Sequence, residues 1–362
     1  MRKIIIIGLL FLLFPVSVKS LSAEAAIVMD GNSGRVLYGK NINRKKLVAS
    51  TSKIMTALVV IENANLNKIV TVNEEVLKAY GSAIYIELGE KISILDLLYG
   101  LMLRSGNDAA IVLAEAVGGG METFAEMMNA RAHEIGMKNT TFYNSHGLEE
   151  KTRVGNTSTA YDMALLTKVA MQNQTFRTIS RMEKWRTTTN YKTYLWQNKN
   201  RLIRSYQYTT GGKTGFTELA GRTLVTTATK DNKNLIVVTL NDGNDFANHK
   251  ALYEEYFNKY QLVKVINRHT FKVQDEKFYK NETLIIKNDF DILITENERG
   301  DIRKVIELEK IKRPRDNEKV GVLKIYLKDK LMHEEGIYIL RNSENKNISF
   351  WVRLLDFLRF WD

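Results

Sequence analysis

Residues 48–61 read Val48-Ala49-Ser50-Thr51-Ser52-Lys53-Ile54-Met55-Thr56-Ala57-Leu58-Val59-Val60-Ile61. Ile54, Leu58 and Ile61 recur at helical spacing, so a helix starts near Ser50. Ser50 and Lys53 are three apart, which puts them on one helix face, about 5–6 Å apart at Cβ. A lysine amine can therefore fold against the serine hydroxyl one turn earlier. The helix N-terminus adds partial positive charge and free backbone N–H groups for a developing oxyanion. Two readings of the segment stand: an N-capping serine, or a nucleophile beside its base.

Outward from this segment, residues 26–29 and 35–38 predict two strands around the turn Asp30-Gly31-Asn32-Ser33-Gly34. Helical patterns follow at 94–102, 109–117, 121–135 and 159–171. Apolar runs at 224–229 and 235–240 flank Lys230-Asp231-Asn232-Lys233 as a hairpin, and 247–260 predicts a closing helix. Strands at both ends with helices between them predict an α+β domain, a sheet covered by helices, over residues 24–260. Beyond it, short alternating stretches at 283–286, 291–295, 322–327 and 336–340 predict a small all-β domain over 261–345 with no catalytic cluster.

The two ends differ from the body. Arg2 and Lys3 precede an apolar run at 4–16 and then small and polar residues, the pattern of a secretory signal over 1–23, with cleavage expected near Ser20 or Ala23. The run is shorter than the ~20 residues that span a bilayer. At 346–362, Phe350, Trp351, Leu354, Leu355, Phe357, Leu358 and Trp361 share one helical face, with Arg353, Asp356 and Arg359 opposite. That composition predicts an amphipathic helix lying on a membrane surface; a helix docked on the β domain is the other possibility.

Composition removes several chemistries. The chain has 362 residues and no cysteine, which excludes disulfides, thiolate nucleophiles and Cys-bound zinc. Its five histidines show no His-Glu-x-x-His spacing, so neither a metal nor any other cofactor is expected. A net charge of +12 is compatible with polyanionic partners, but no nucleic-acid motif accompanies it, and a nucleic-acid partner is not expected. A hydroxyl nucleophile with a neighbouring base remains.

Two further segments bear on that choice. Ser105-Gly106-Asn107 lies in a loop leading into a helix. Lys213-Thr214-Gly215 opens a strand-like run after Gly211 and Gly212. A phosphate loop would need glycine at 207, where Gln207 stands, and a helix afterwards, where a strand is predicted.

Ser50-x-x-Lys53, Ser105-x-Asn107 and Lys213-Thr214-Gly215 resemble, in order and spacing, the three motifs of penicillin-binding proteins and serine β-lactamases. The chain is most similar to the low-molecular-mass D-alanyl-D-alanine carboxypeptidases, through Leu103-Arg104-Ser105-Gly106-Asn107-Asp108-Ala109-Ala110, Asn144-Ser145-His146-Gly147-Leu148 and Lys213-Thr214-Gly215-Phe216-Thr217. Val48 and Thr210 depart from the residues usual there, proline and aspartate. The resemblance implies a β-lactamase/transpeptidase-like catalytic domain, an antiparallel sheet covered by helices. It also implies an exported enzyme at the outer face of the cytoplasmic membrane. Its substrate would be peptidoglycan stem peptides ending in D-Ala-D-Ala, and its covalent inhibitors β-lactam antibiotics.

Carried onto this chain, the resemblance makes Ser50 the nucleophile, neutral Lys53 its base and Ser105 the proton relay. Asn107 would bond Lys53 and the substrate amide. Lys213 and Thr214 would hold the terminal carboxylate, and the N–H groups of Ser50 and Phe216 would form the oxyanion hole. Gly215 would keep the strand bare for substrate. The alternatives are a serine β-lactamase, prompted by Glu149 and Glu150, a Ser50-His146-Asp162 triad, and a catalytically silent wall-binding module.

Overall fold

Ala25–Asp30 forms β1, and all six of its residues are buried. A strand buried on both faces must be covered from both sides, which places β1 mid-sheet. It pairs antiparallel with β2 (Val36–Lys40) on one side. The computed structural model, which describes residues 21–149, 154–274 and 276–341, places the next elements in order. They are α1 (Lys53–Asn63), α2 (Ile94–Tyr99), α3 (Asn107–Gly118), α4 (Met121–Ile135), α5 (Ala160–Ala170) and α6 (Gln174–Arg181). Then come β3 (Thr209–Thr217), β4 (Gly221–Lys230), β5 (Lys233–Leu240) and α7 (Asp245–Lys259). The five strands form one antiparallel sheet in the order β2-β1-β5-β4-β3.

Strand periodicity divides the core. Ile27, Met29, Val225, Ile236 and Val238 face the cluster built by α1 to α6. Val28, Ala228, Leu235 and Val237 face Tyr253, Tyr256 and Phe257 of α7. His249 ties α7 to the sheet between Thr226 Oγ1 (2.7 Å) and Thr239 Oγ1 (3.0 Å), and burial holds its pKa down at about 3, so it is neutral. The sheet is thus covered by helices, as the sequence predicts.

The β4–β5 turn is Asp231-Asn232, with φ of 50° and 60°. These left-handed values are what a two-residue hairpin demands and what Asp and Asn tolerate. The predicted helix at 94–102 is α2 followed by a wider π-helical turn, Gly100–Arg104, which ends at Ser105. Helix α6 and the hairpin of Lys184–Thr188 with Thr193–Gln197 were not legible in the sequence. Lys213 sits at the centre of β3 rather than at the start of a strand.

From Gln261 the described residues form strands, with one 3₁₀ turn at Glu296–Asp301. β6 (Gln261–Ile266) pairs with β8 (Phe290–Ile294), and β7 (Thr283–Ile286), β9 (Ile302–Leu308), β10 (Lys319–Leu327) and β11 (Lys330–Leu340) form a sheet of order β7-β11-β10-β9. β8 and the turn after it lean on the first hairpin. Arg35 donates to Leu293 O (2.6 Å) and pairs with Glu298 (2.5 Å), while the Leu293 amide donates to Asp30 (3.4 Å). No helix among the described residues is long and apolar enough to cross a membrane. The predicted 346–362 helix, and the 1–23 leader apart from residues 21–23, lie outside the described residues.

Candidate active site

Ser50 stands in the 3₁₀ turn Ala49–Ser52 that runs directly into α1, and Lys53 is the first residue of that helix. The spacing read from the sequence therefore acts across one tight turn. Lys53 is fully buried, and its Nζ lies 3.0 Å from Ser50 Oγ, 2.7 Å from Asn107 Oδ1 and 2.5 Å from His146 O. Burial, then the Lys213 and Lys199 charges, hold the Lys53 amine well below the ordinary lysine range.

Asn107 opens α3, directly after the π-helical turn and the left-handed Ser105 (φ 65°). Its Nδ2 donates to Tyr80 O at 2.6 Å, and its amide to Ser82 O at 2.7 Å. Ser105 is almost wholly buried yet lines the cleft. The cleft has a volume of about 320 Å³, and its walls include Ser50, Ser82, Ser105, Thr214, Gly215 and Phe216. Lys53, Asn107 and Lys213 stand behind that surface, buried. A larger cavity of about 500 Å³, by Lys168 and Arg177, contains none of the eight candidate residues.

β3 is the edge strand of the sheet, so one side of its backbone faces the cleft. A Cβ at Gly215 would lie 3.0 Å from the backbone nitrogens of Ser50 and Thr51, so only glycine lets strand and turn approach this closely. Lys213 is buried and donates to Thr214 O at 2.8 Å. Burial, with a smaller push from Lys199, brings its pKa down to about 7.

The loop 144–148 contributes through its backbone. Thr56 donates to Ser145 O (2.7 Å), Ser145 Oγ to Ala110 O (2.9 Å), and the Gly147 amide to Asn144 Oδ1 (2.7 Å). These bonds aim the His146 carbonyl at Lys53. The His146 ring instead accepts from the Leu148 amide (3.1 Å), and burial, then the Lys53 charge, takes its pKa down to about 3. Asp162 is occupied elsewhere, by the Asn139 amide and Thr140 (both 2.8 Å). The structure does not join Ser50, His146 and Asp162 as a triad.

Sequence reasoning missed the cationic wall. Lys199 lines the cleft, its Nζ 3.0 Å from Ser82 Oγ, with Arg201 and Arg222 beyond. Arg222 is paired with Asp245 (2.8 Å), and both guanidinium groups lie over the Phe246 ring, at 5.8 and 5.6 Å. Only the Asn198-Lys199-Asn200 triplet hinted at this wall, because each asparagine folds onto the backbone two residues on.

Residues 14–244 match the D-alanyl-D-alanine carboxypeptidase family, and residues 260–345 match the C-terminal domain of penicillin-binding protein 5. Similar curated proteins include the D-alanyl-D-alanine carboxypeptidases DacF of Bacillus subtilis and DacC of Escherichia coli. Each is 37% identical, over 60% and 62% of this chain. The alignments span 56% and 58% of those relatives' own length. Among solved structures, a D-alanyl-D-alanine carboxypeptidase of Mycobacterium tuberculosis covers 66% of this chain, and 92% of its own is covered, at 29% identity and TM-score 0.63. Penicillin-binding protein 5 of Haemophilus influenzae shares the fold over 89% of this chain and 98% of its own, with TM-score 0.73 at 24% identity.

Proposed function

This chain belongs to the D-alanyl-D-alanine carboxypeptidase family, and from that premise we propose that it removes the terminal D-alanine from peptidoglycan stem peptides through an acyl-enzyme on Ser50. The observation that carries the reading is the buried Lys53 amine, 3.0 Å from Ser50 Oγ, with its other two neighbours both carbonyl oxygens. Carbonyl oxygens only accept. A neutral amine satisfies this arrangement by donating its two hydrogens to Asn107 Oδ1 and His146 O. Its lone pair is then left for the Ser50 hydroxyl, the geometry of a general base.

Substrate adds as an extended strand along the free side of β3, antiparallel to it, with its carboxylate toward Lys213 and Thr214. The reacting carbonyl then lies beside Gly215, next to the Ser50 amide. Ser50 attacks, Lys53 takes its proton, and the N–H groups of Ser50 and Phe216 stabilise the oxyanion. Ser105 passes the proton to the leaving D-alanine amine. Water completes the cycle by hydrolysing the acyl-enzyme. A β-lactam acylates the same serine.

We assign the site of action to the outer face of the cytoplasmic membrane, with residues 346–362 as the attachment. Of the two cleavage points in the leader, Ser20 fits better. Leu21 O accepts from Lys40, Ser22 bonds Asp242, and Ala23 is fully buried.

The test is labelling with a fluorescent penicillin and release of D-alanine from a pentapeptide. Wild type shows both, and Ser50→Ala shows neither while unfolding at the same temperature. Full labelling of the alanine variant refutes the assignment. Fast turnover of the penicillin adduct would favour the β-lactamase instead.

A further inference from the structure

On the acyl side of the scissile bond, just past Phe216 of the cleft wall, the structure holds a bridge that the proposed mechanism does not use. Glu149 Oε1 accepts from Thr217 Oγ1 at 2.5 Å, and the Glu149 carbonyl accepts from the Tyr80 hydroxyl at 3.0 Å. One residue thereby joins the end of β3 to the segment that holds Asn107, since Asn107 Nδ2 donates to Tyr80 O. Tyr80 and Phe216 stand on the two sides of this bridge, 57% and 62% exposed, although both belong to segments fixed by hydrogen bonds. Large exposed rings on fixed backbone at a cleft mouth suit contact with a ligand.

The register of β3 says what lies there. The carbonyl attacked by Ser50 sits beside Gly215, and each extended residue advances about 3.4 Å. A substrate antiparallel to β3 therefore places the residue preceding its D-Ala-D-Ala alongside Phe216 and Thr217. Its side chain reaches the Thr217–Glu149 contact. The opposite end of the cleft is cationic, lined by Lys199, Arg201 and Arg222 with Lys213 behind, and the one carboxylate among its described lining residues, Asp245, is paired with Arg222. The two ends thus offer opposite charges to one extended peptide: cations to its terminal carboxylate, a carboxylate to the side chain two residues before its end.

Building on the substrate orientation proposed above, we propose that Glu149 is a specificity residue, selecting stem peptides whose residue before D-Ala-D-Ala carries a free side-chain amine. A carboxylate–ammonium contact at a half-exposed mouth gives a preference of about two- to fivefold.

The test compares two tripeptides that differ only in that amine, Nα-acetyl-L-Lys-D-Ala-D-Ala and its Nα,Nε-diacetyl counterpart. Wild type should favour the free amine about two- to fivefold in kcat/KM. In Glu149→Gln the ratio should fall to about one, and in Glu149→Lys it should invert. An unchanged ratio in Glu149→Gln overturns the proposal. So does an equal slowing of both peptides with accumulation of acyl-enzyme, which would make Glu149 a group acting on the deacylating water. Competition of each peptide against penicillin acylation of Ser50 reads the same ratio without turnover. A wild type that acylates with penicillin yet hydrolyses neither peptide would count against the carboxypeptidase reading, while the competition ratio would still decide the role of Glu149.

Discussion

Asp108 follows Asn107 and is 3% exposed, and its carboxylate gathers the backbone of the segment opposite. It accepts from the amides of Ile84 (3.0 Å to each oxygen), Tyr85 (2.7 Å), Ile86 (3.3 Å) and Ala109 (2.9 Å). This clamp holds Tyr85 at a left-handed φ of 64°, an unusual value for a bulky residue. Asp108→Asn changes almost no volume but leaves one oxygen in place of two. If Oδ1 keeps Ile84 and Ala109, the Tyr85 and Ile86 amides face an NH₂ group. The Ile86 donor, buried, and the Tyr85 donor, part-buried, cost roughly 3–4 kcal/mol together when left without partners. Relief of the Tyr85 strain offsets about 1 kcal/mol of that, leaving a net loss of roughly 2–3 kcal/mol.

The consequence for the site is larger than for the fold. Tyr80 O and Ser82 O, the acceptors that position Asn107, belong to the same segment. A displacement of about 1 Å there misplaces the Lys53 contact and should slow penicillin acylation roughly 100-fold. Urea unfolding read by tryptophan fluorescence measures the first effect, because Trp185 stacks on Tyr99 at 3.7 Å nearby. Acylation followed in a stopped-flow instrument measures the second. A variant within 1 kcal/mol of wild type that acylates at the normal rate would refute the clamp.

Lys213→Ala should lower kcat/KM more for peptides with a free terminal carboxylate than for their amides, and equal losses would show a different role. Since the Lys213 pKa is brought down to about 7, its charge is present below that pH and lost above it. Activity on carboxylate substrates should therefore decline as pH rises through about 7, with a weaker decline for amides; no such difference would contradict the role. Gly147 has φ 86°, and a Cβ there would collide with the Ala49 carbonyl beside Ser50. Gly147→Ala should cut penicillin acylation at least about 100-fold, and an active alanine variant would show that the loop can give way. Deleting residues 347–362 should release the protein from membranes without lowering activity on a soluble peptide. Sedimentation with vesicles after the deletion would locate the attachment elsewhere.

Much of this protein was legible from local pattern. The helix after Ser50, α4 to the residue, the β4–β5 hairpin and the all-β character beyond Gln261 follow from apolar periodicity and turn chemistry. Ser50 and Lys53 were legible because a three-residue separation on one turn fixes their distance. β3 was harder: three glycines at Gly211, Gly212 and Gly215 lower strand propensity, and only pairing with β4 makes it a strand. The hairpin at 184–197 was missed because its inward residues, Tyr194 and Trp196, acquire a buried face only against the segment around Glu90. Long-range approach decided the rest. The His146 residue matters for its carbonyl and not its ring, and Asp108 acts as a clamp across 24 positions of sequence to Ile84. The cationic wall of Lys199, Arg201 and Arg222 comes from separate segments. Sequence specifies which chemical groups are available and the distances within one turn. The burial that lowers the Lys53 pKa, and the carbonyl oxygens that hold its amine, exist only once distant segments have packed together.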